Sequence, residues 1–107
     1  MMSRLEQLQK FFDEEPENPF NLYALALEVS KTDRSKAIEL LNSLIAQHIN
    51  YIPTYYMLGQ LYEQQGEPVA AVAIYEKGIA VAAAHNDTKT LRELRAAYEQ
   101  VKDGDDL

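Results

Sequence analysis

The sequence contains an internal repeat with a period of 33 to 34 residues. Apolar positions of residues 20–50 recur in residues 52–84, and the pairs of corresponding residues are Leu22 and Tyr55, Leu25 and Leu58, Ala26 and Gly59, Ala37 and Ala71, Leu41 and Tyr75, and Leu44 and Gly78. A period of this length, built from two helices, is typical of arrays in which each unit buries its apolar face against its neighbours. The repeat therefore predicts an all-α fold of stacked helical pairs. It indicates much less about a ligand, because repeat scaffolds bind many kinds of partner.

Length and composition limit the classes of protein that this chain can represent. A chain of 107 residues, 47% of them hydrophobic, can form a core, and we expect one domain over residues 1–107. The absence of cysteine excludes disulfides, thiolate metal sites and thiol catalysis. A net charge of −7 argues against non-specific binding to nucleic acid, which needs clustered Lys and Arg.

The distribution of apolar residues predicts a cytoplasmic protein with no membrane partner. No apolar run approaches the roughly 18–20 residues that are needed to span a bilayer. The amino-terminal residues become charged and amphipathic at once, which is unlike a signal peptide.

Capping and turn residues divide the chain into six predicted helices. Ser3 and Glu6 have the spacing of a capping box, and Pro19 and Pro53 suit the first turn of a helix. Gly66 suits the residue that follows a helix end. The predicted helices cover residues 3–15, 19–31, 34–48, 53–65, 68–84 and 88–102, and an acidic tail follows at 103–107.

Residues 52–85 resemble a tetratricopeptide repeat. The residues that carry the resemblance are Tyr55, Leu58, Gly59, Tyr62, Gly66, Ala71, Tyr75 and Gly78. Gly78 departs from the family pattern, in which alanine is commoner, and Ala83 stands where the family often has proline. The resemblance implies a right-handed α-α superhelix of six antiparallel helices. It also implies that Gly59 and Ala71 are small because the two helices of the repeat press together there.

The rest of the chain fits the same pattern, as one weaker repeat and two half repeats. Residues 19–50 resemble a full repeat. Residues 3–15 resemble the second helix of a repeat that lacks its first helix, and Arg4 stands where the full repeats have alanine. Residues 87–102 resemble a lone first helix that caps the stack, and Arg95 there takes the place of the repeat glycine.

In this family the first helix of each repeat lines a concave groove that usually receives a peptide. The resemblance therefore implies a non-enzymatic interaction or scaffold module that binds a peptide or helical segment of a protein partner. The residues that correspond to the groove are Phe20, Tyr23, Leu27, Tyr56, Met57, Gln60, Lys89 and Arg92. The carboxylate clamp that some members use for chaperone tails is not expected, because Tyr23, Leu27 and Met57 replace its Lys and Asn. Lys89 and Arg92 could hold an acidic side chain or a chain terminus.

A second interpretation assigns the same exposed residues to self-association. Tyr23, Leu27, Tyr56 and Met57 could join two copies in a homodimer, and the function would then be assembly without a peptide ligand. Leu27 and Met57 could also contact neighbouring first helices instead of any ligand. Both alternatives stay open at the level of sequence.

The sequence offers no constellation for catalysis, metal binding or cofactor binding. His48 and His85 lack the spacing of paired metal ligands, and an enzyme that uses either one is a third, weaker hypothesis. No glycine motif for phosphates is present. The acidic residues 103–106 superficially resemble a calcium loop but lack its ligand spacing. We therefore predict no catalytic residue, no metal and no cofactor.

Overall fold

The computed structural model describes residues 1–105, and of Asp105 the backbone alone. Six α-helices and no strand are present in these residues, which confirms the predicted all-α class. The helices are α1 (Arg4–Glu14), α2 (Pro19–Val29), α3 (Arg34–Gln47), α4 (Pro53–Gln64), α5 (Pro68–Ala84) and α6 (Thr88–Asp105).

The helix boundaries follow from local chemistry. The Ser3 hydroxyl accepts from the backbone N–H of Glu6, and the Glu6 carboxylate accepts from that of Ser3, both at 3.1 Å. Asp33 and Asp87 each accept a bond from the backbone N–H three residues further on, at 3.0 and 3.1 Å. Gly66 has a φ of 73°, the left-handed conformation that ends many helices and that glycine adopts without strain.

Helix α6 is longer than predicted. It continues to Asp105, so the prediction of a tail is wrong for residues 103–105, while Asp106 and Leu107 lie outside the described residues. Lys102 in the last turn suits the negative end of the helix dipole, and its amine lies 5.3 Å from the centre of the Tyr98 ring. These interactions are consistent with a helix that runs past the predicted end.

The first compact unit, residues 1–51, contains α1, α2 and α3. Helix α2 packs against both of the others. The Asn21 side-chain amide donates to the backbone carbonyls of Phe11 and Glu15, at 3.2 and 3.1 Å, and so ties the end of α1 to the start of α2. The buried apolar side chains are Leu8, Leu22, Leu25, Ala26, Ala37, Leu41 and Leu44.

The second compact unit begins at Ile52 and contains α4, α5 and α6. Helix α5 packs against both α4 and α6, as expected for a helix that is apolar on more than one side. The core is built from Tyr55, Leu58, Leu61, Ala71, Ile74, Tyr75, Ala82, Leu94, Ala97 and Val101. The division between the units falls between the two predicted repeats, and a single domain over 1–107 stays a prediction.

Two close contacts between rings and glycines hold α4 against α5. A Cβ atom added at Gly59 would lie 2.7 Å from Tyr75 Cδ1, and one added at Gly78 would lie 2.6 Å from Tyr55 Cβ. The two contacts run in opposite order along the helices, so the pair is antiparallel. The Tyr75 ring thus occupies the space that a larger residue at position 59 would need.

The first repeat uses a different pair of residues at the same place. Ala26 stands where the second repeat has Gly59, and Leu41 stands where it has Tyr75. Both Ala26 and Leu41 are fully buried. A glycine with a large ring and an alanine with a leucine occupy similar total volume, and exchanges that conserve volume are the ones that cores tolerate best. Two different residue pairs thus satisfy one packing requirement.

Candidate protein-interaction surface

Helix α2 brings three of the predicted groove residues together. Phe20, at its first turn, is 58% exposed, and Tyr23 and Leu27 follow on the same face as half-buried side chains. All three line an open cavity of about 340 Å³. Arg4 and Leu8 of α1 line the other side of this cavity.

Tyr23 is held by an aromatic contact that the sequence analysis missed. Its ring meets the Tyr51 ring edge to face, with 5.6 Å between the ring centres. Burial raises the pKa of the Tyr23 phenol, and the nearby Tyr51 raises it further. Tyr51 lies in the connection between α3 and α4, where no helical periodicity indicates its neighbours.

The charged residues at the α2 cavity differ in their partners. The Lys31 amine pairs with the Glu28 carboxylate at 2.9 Å, within one turn of the chain. Arg4 has no ion-pair partner among residues 1–105. The cavity therefore has one positive charge that no neighbouring side chain neutralises.

Helix α4 positions Tyr56, Met57 and Gln60. Tyr56 is 40% exposed, with its ring centre 6.3 Å from that of Tyr75, and Met57 is half-buried. The Gln60 amide donates to the Tyr75 hydroxyl at 2.8 Å, and that hydroxyl donates to the Glu63 carboxylate at 2.5 Å. Gln60, predicted as a ligand-contacting residue, is thus fixed in place by the core ring of Tyr75.

Tyr75 itself lies in the core, with no exposed surface. Burial, followed by the hydrogen bond to Glu63, raises the pKa of its phenol well above the ordinary value of about 10. The folded protein therefore favours the neutral phenol. This preference contributes fully to the free energy of unfolding at any pH below the pKa that the phenol has in the unfolded chain. That stability is lost as the pH rises through the higher folded pKa.

Replacing Tyr75 by phenylalanine is therefore expected to make the protein less sensitive to alkali. Near neutral pH the variant should lose about 1 kcal/mol, the usual net worth of such a hydrogen-bonded hydroxyl. Between about pH 9 and 11 the gap between wild type and variant should narrow, because only the wild type has this buried phenol to ionise. Urea unfolding at a series of pH values measures the gap, and a constant gap would contradict the expectation.

Lys89 and Arg92, the remaining predicted residues, are exposed near the start of α6. Helix α6 packs on α5 and presents both cations to solvent. His48 is half-buried at the end of α3, and His85 is exposed after α5. Within residues 1–105 no three His, Asp or Glu side chains are grouped so that they could hold a metal ion. No helix of the described chain has both the length and the apolar character to cross a membrane.

Comparison with solved structures gives the family. The chain is 39% identical to a tetratricopeptide repeat domain protein from Salinibacter ruber solved in solution, with a TM-score of 0.78 over 82% of this chain and 90% of that one. A crystal structure of a tetratricopeptide repeat domain protein from Salinibacter ruber gives 37% identity and a TM-score of 0.75, over 79% of this chain and 97% of that one.

A third structure, of a protein from Bordetella parapertussis, shares the fold at a TM-score of 0.83 and 20% identity, over 98% of this chain and 92% of that one. No protein-family model and no curated protein matches the sequence. The two Salinibacter structures combine high identity with nearly full coverage of their own chains. The chain belongs to the tetratricopeptide repeat family, whose helical repeats serve in general as protein-interaction modules.

Proposed function

We propose that the chain binds a peptide or a helical segment of a protein partner on the exposed faces of α2, α4 and α6. These are its first-type helices, which correspond to the first helix of a repeat, whereas the second-type helices α1, α3 and α5 correspond to the second. The observation that carries the proposal is the exposure of aromatic side chains on these helices. Phe20 and Tyr56 are 58% and 40% exposed, whereas the core ring of Tyr55 is 1% exposed. Exposed aromatic and apolar side chains mark interaction sites, and aromatic residues are enriched at the centres of such sites.

Each helix offers a different chemistry to such a partner. Helix α2 offers the apolar cavity with Phe20 at its edge. Helix α4 offers the face of Tyr56 beside the Gln60 amide, which is already ordered by its bond to Tyr75 and therefore loses little entropy on binding. Helix α6 offers the cations Lys89 and Arg92, which suit a carboxylate. The ligand that fits is an amphipathic or extended segment with apolar side chains and an acidic group.

The family supports a scaffold role without catalysis, in which binding is the whole activity. We place the protein in the cytoplasm, as the sequence suggested. The partner is a protein, and neither nucleic acid nor a membrane is required.

A triple substitution tests the surface. Tyr23→Ser, Tyr56→Ser and Met57→Ser together should abolish capture of the partner from extracts of the source cells, because buried aromatic anchors contribute most of the binding energy of an interface. Val69→Ser is the matched control, because Val69 is 69% exposed but lies on the second-type helix α5. Synthetic segments of the captured partner then give dissociation constants. We expect the triple variant to bind at least about 100-fold more weakly, from losses of about 1 kcal/mol or more at each position. Equal affinity of wild type and triple variant would refute the proposal.

The self-association alternative is tested by the oligomeric state. Light scattering across a concentration series is expected to show a monomer if the surface receives a ligand. A tight dimer that dissociates in the Tyr56→Glu variant would instead show that the same residues join two copies, because a buried unpaired carboxylate opposes that contact.

A further inference from the structure

Three side chains of α4 meet at the buried Tyr75 of α5. The Tyr56 ring centre lies 6.3 Å from that of Tyr75, and the Tyr75 hydroxyl is bonded to both Gln60 and Glu63. Residues 56, 60 and 63 are four and three positions apart, so they lie on one face of α4. Tyr56 and Glu63 are exposed and Gln60 is half-buried. An aromatic ring, an amide and a carboxylate are thus brought together at the surface.

The hydrogen bonds of Tyr75 determine which way the Gln60 amide points. A carboxylate can only accept, and a phenol has a single proton to donate. Tyr75 donates that proton to Glu63 Oε2 at 2.5 Å, so its oxygen can only accept from Gln60, at 2.8 Å. Gln60 Nε2 also donates to Glu63 Oε2, at 3.3 Å. The amide nitrogen of Gln60 is therefore directed inward, and its carbonyl oxygen is the atom left for a ligand.

The polar atoms that remain on this face are acceptors. Gln60 Oε1 takes no part in the bonds to Tyr75 and Glu63, and both of those bonds to Glu63 end on Oε2 and leave its Oε1. Gln60 Oε1 is not buried, because in the described chain Thr54 Oγ1 is the buried side-chain oxygen or nitrogen without a partner. The face of the Tyr56 ring is also electron-rich. All three groups therefore attract positive charge.

We propose that this face of α4, defined by Tyr56, Gln60 and Glu63, binds an arginine side chain of the partner segment. The guanidinium lies on the Tyr56 ring and donates to Gln60 Oε1 and to the Glu63 carboxylate. This inference rests on the proposed function, and it adds a basic residue to the ligand chemistry stated there. Tyr75 is a positioning residue, because it orients the two acceptors without touching the ligand.

Other side chains fit the face less well. A carboxylate would be repelled by Glu63 and would find no donor on Gln60. An apolar side chain could cover Tyr56, but it would remove water from two acceptors without replacing their hydrogen bonds. A lysine offers a compact charge, whereas the planar guanidinium can stack on a ring while its N–H groups reach acceptors at its edge. The net charge of −7 also favours the approach of a cation.

Two small probes test the face without the partner. They are acetyl-arginine amide and acetyl-citrulline amide, in which a neutral urea of similar shape replaces the guanidinium. Each is titrated into the isotope-labelled full chain at matched ionic strength to about 50 mM, a concentration suited to dissociation constants in the millimolar range. We expect the arginine probe to shift the backbone amide signals of Tyr56 and Gln60 and the side-chain amide of Gln60. The citrulline probe should shift them at least about twofold less per millimolar.

Substitutions test the parts of the face separately. Glu63→Gln keeps the size of the side chain and should reduce the response to the arginine probe about two- to fivefold, the range of an exposed ion pair. Tyr56→Leu keeps an apolar side chain and should reduce it by a similar factor, about two- to fivefold, through loss of the ring. Glu76→Gln is the matched control, with the same change in net charge. Glu76 is exposed on α5 and lines a cavity with Arg95 and Tyr98 of α6. It should leave the response unchanged.

Three results would overturn the inference. The first is an absence of shifts at Tyr56 and Gln60 at the highest concentration of the arginine probe. The second is an equal response to both probes, which would mean that the positive charge is not recognised. The third is an equal loss in Glu63→Gln and Glu76→Gln, which would reduce the effect to net charge. The amide spectrum of each variant verifies that it is folded.

The probe experiment and the capture experiment fail separately. Partner capture that the triple variant abolishes, without a response to the arginine probe, would support the proposed function and refute the arginine site. A charge-specific response that Glu63→Gln weakens, with equal partner affinity of wild type and triple variant, would support the site and refute the proposed function.

Discussion

Replacing Gly59 by leucine is expected to destabilise the protein by about 1–3 kcal/mol or more, because the new side chain must enter space that the Tyr75 ring fills. Even a methyl group at this position would lie 2.7 Å from Tyr75 Cδ1, closer than non-bonded carbon atoms approach. Tyr75 is fully buried, so its ring has no solvent-filled space to rotate into. Thermal unfolding followed by circular dichroism should show a melting temperature lower by roughly 4–8 °C for each kcal/mol lost.

Gly104 provides the matched control for this substitution. It lies in α6, and a Cβ added there would meet no atom within 4 Å. Gly104→Leu should therefore be neutral or stabilising by up to about 1 kcal/mol, since leucine forms helices more readily than glycine. Equal melting temperatures for Gly59→Leu and wild type would show that the placement of the ring over Gly59 is wrong.

The first repeat suggests a second substitution that should relieve the clash caused by Gly59→Ala. The double variant Gly59→Ala, Tyr75→Leu would copy the Ala26 and Leu41 pair into the second repeat. We expect it to be more stable than Gly59→Ala alone, because the clash is removed together with the ring. The gain measured by urea unfolding reports the coupling between the two positions. The absence of any gain would mean that the two repeats are not packed equivalently.

Truncating Tyr75 to alanine is expected to have the largest effect, a loss of about 3–5 kcal/mol. The ring is fully buried between α4 and α5, and its removal leaves a cavity that the surrounding helices cannot fill completely. It also removes the hydroxyl that orders Gln60 and Glu63. A domain of this size is usually stable by about 5–15 kcal/mol, so the variant should be near the limit of folding at 37 °C.

A second substitution distinguishes the loss of the volume of the Tyr75 ring from nonspecific destabilisation of the fold. Adding Gly59→Leu to Tyr75→Ala places a leucine where the ring was, so it should restore part of the stability that Tyr75→Ala loses. The same Gly59→Leu change destabilises the wild type. This reversal of sign, measured by urea unfolding, is specific to a direct contact between the two positions. Additive losses would contradict the described packing.

The local features of the fold were predictable because each depends on a few neighbouring residues. Ser3 with Glu6 forms the capping box at α1, and Gly66 adopts a positive φ after α4, both as their sequence positions indicated. The repeat period likewise located the helical pairs, because corresponding buried positions recur at a constant spacing. The end of α6 was not predictable from the acidic composition that follows Lys102.

The candidate site was predictable only in part. The resemblance placed Phe20, Tyr23 and Leu27 on one face, and the structure groups them at one cavity. It did not show that Gln60 is bonded to a core tyrosine, because that contact joins residues 15 positions apart on two helices. The sequence also did not indicate the edge-to-face contact between Tyr51 and Tyr23, because these residues are far apart along the chain.

The sequence by itself determined that the chain consists of helices in a repeated pattern, and where most of them begin and end. These properties depend on periodicity and on hydrogen bonds between near neighbours. Only the tertiary structure decided which side chains fill the space between α4 and α5. In the sequence, a glycine at position 59 suits either close helix backbones or an overlying aromatic ring. Which of the two occurs depends on how side chains far apart in the sequence fill the space between α4 and α5. The exposure of Arg4 and Phe11 likewise required coordinates, because exposure depends on what the rest of the chain leaves uncovered.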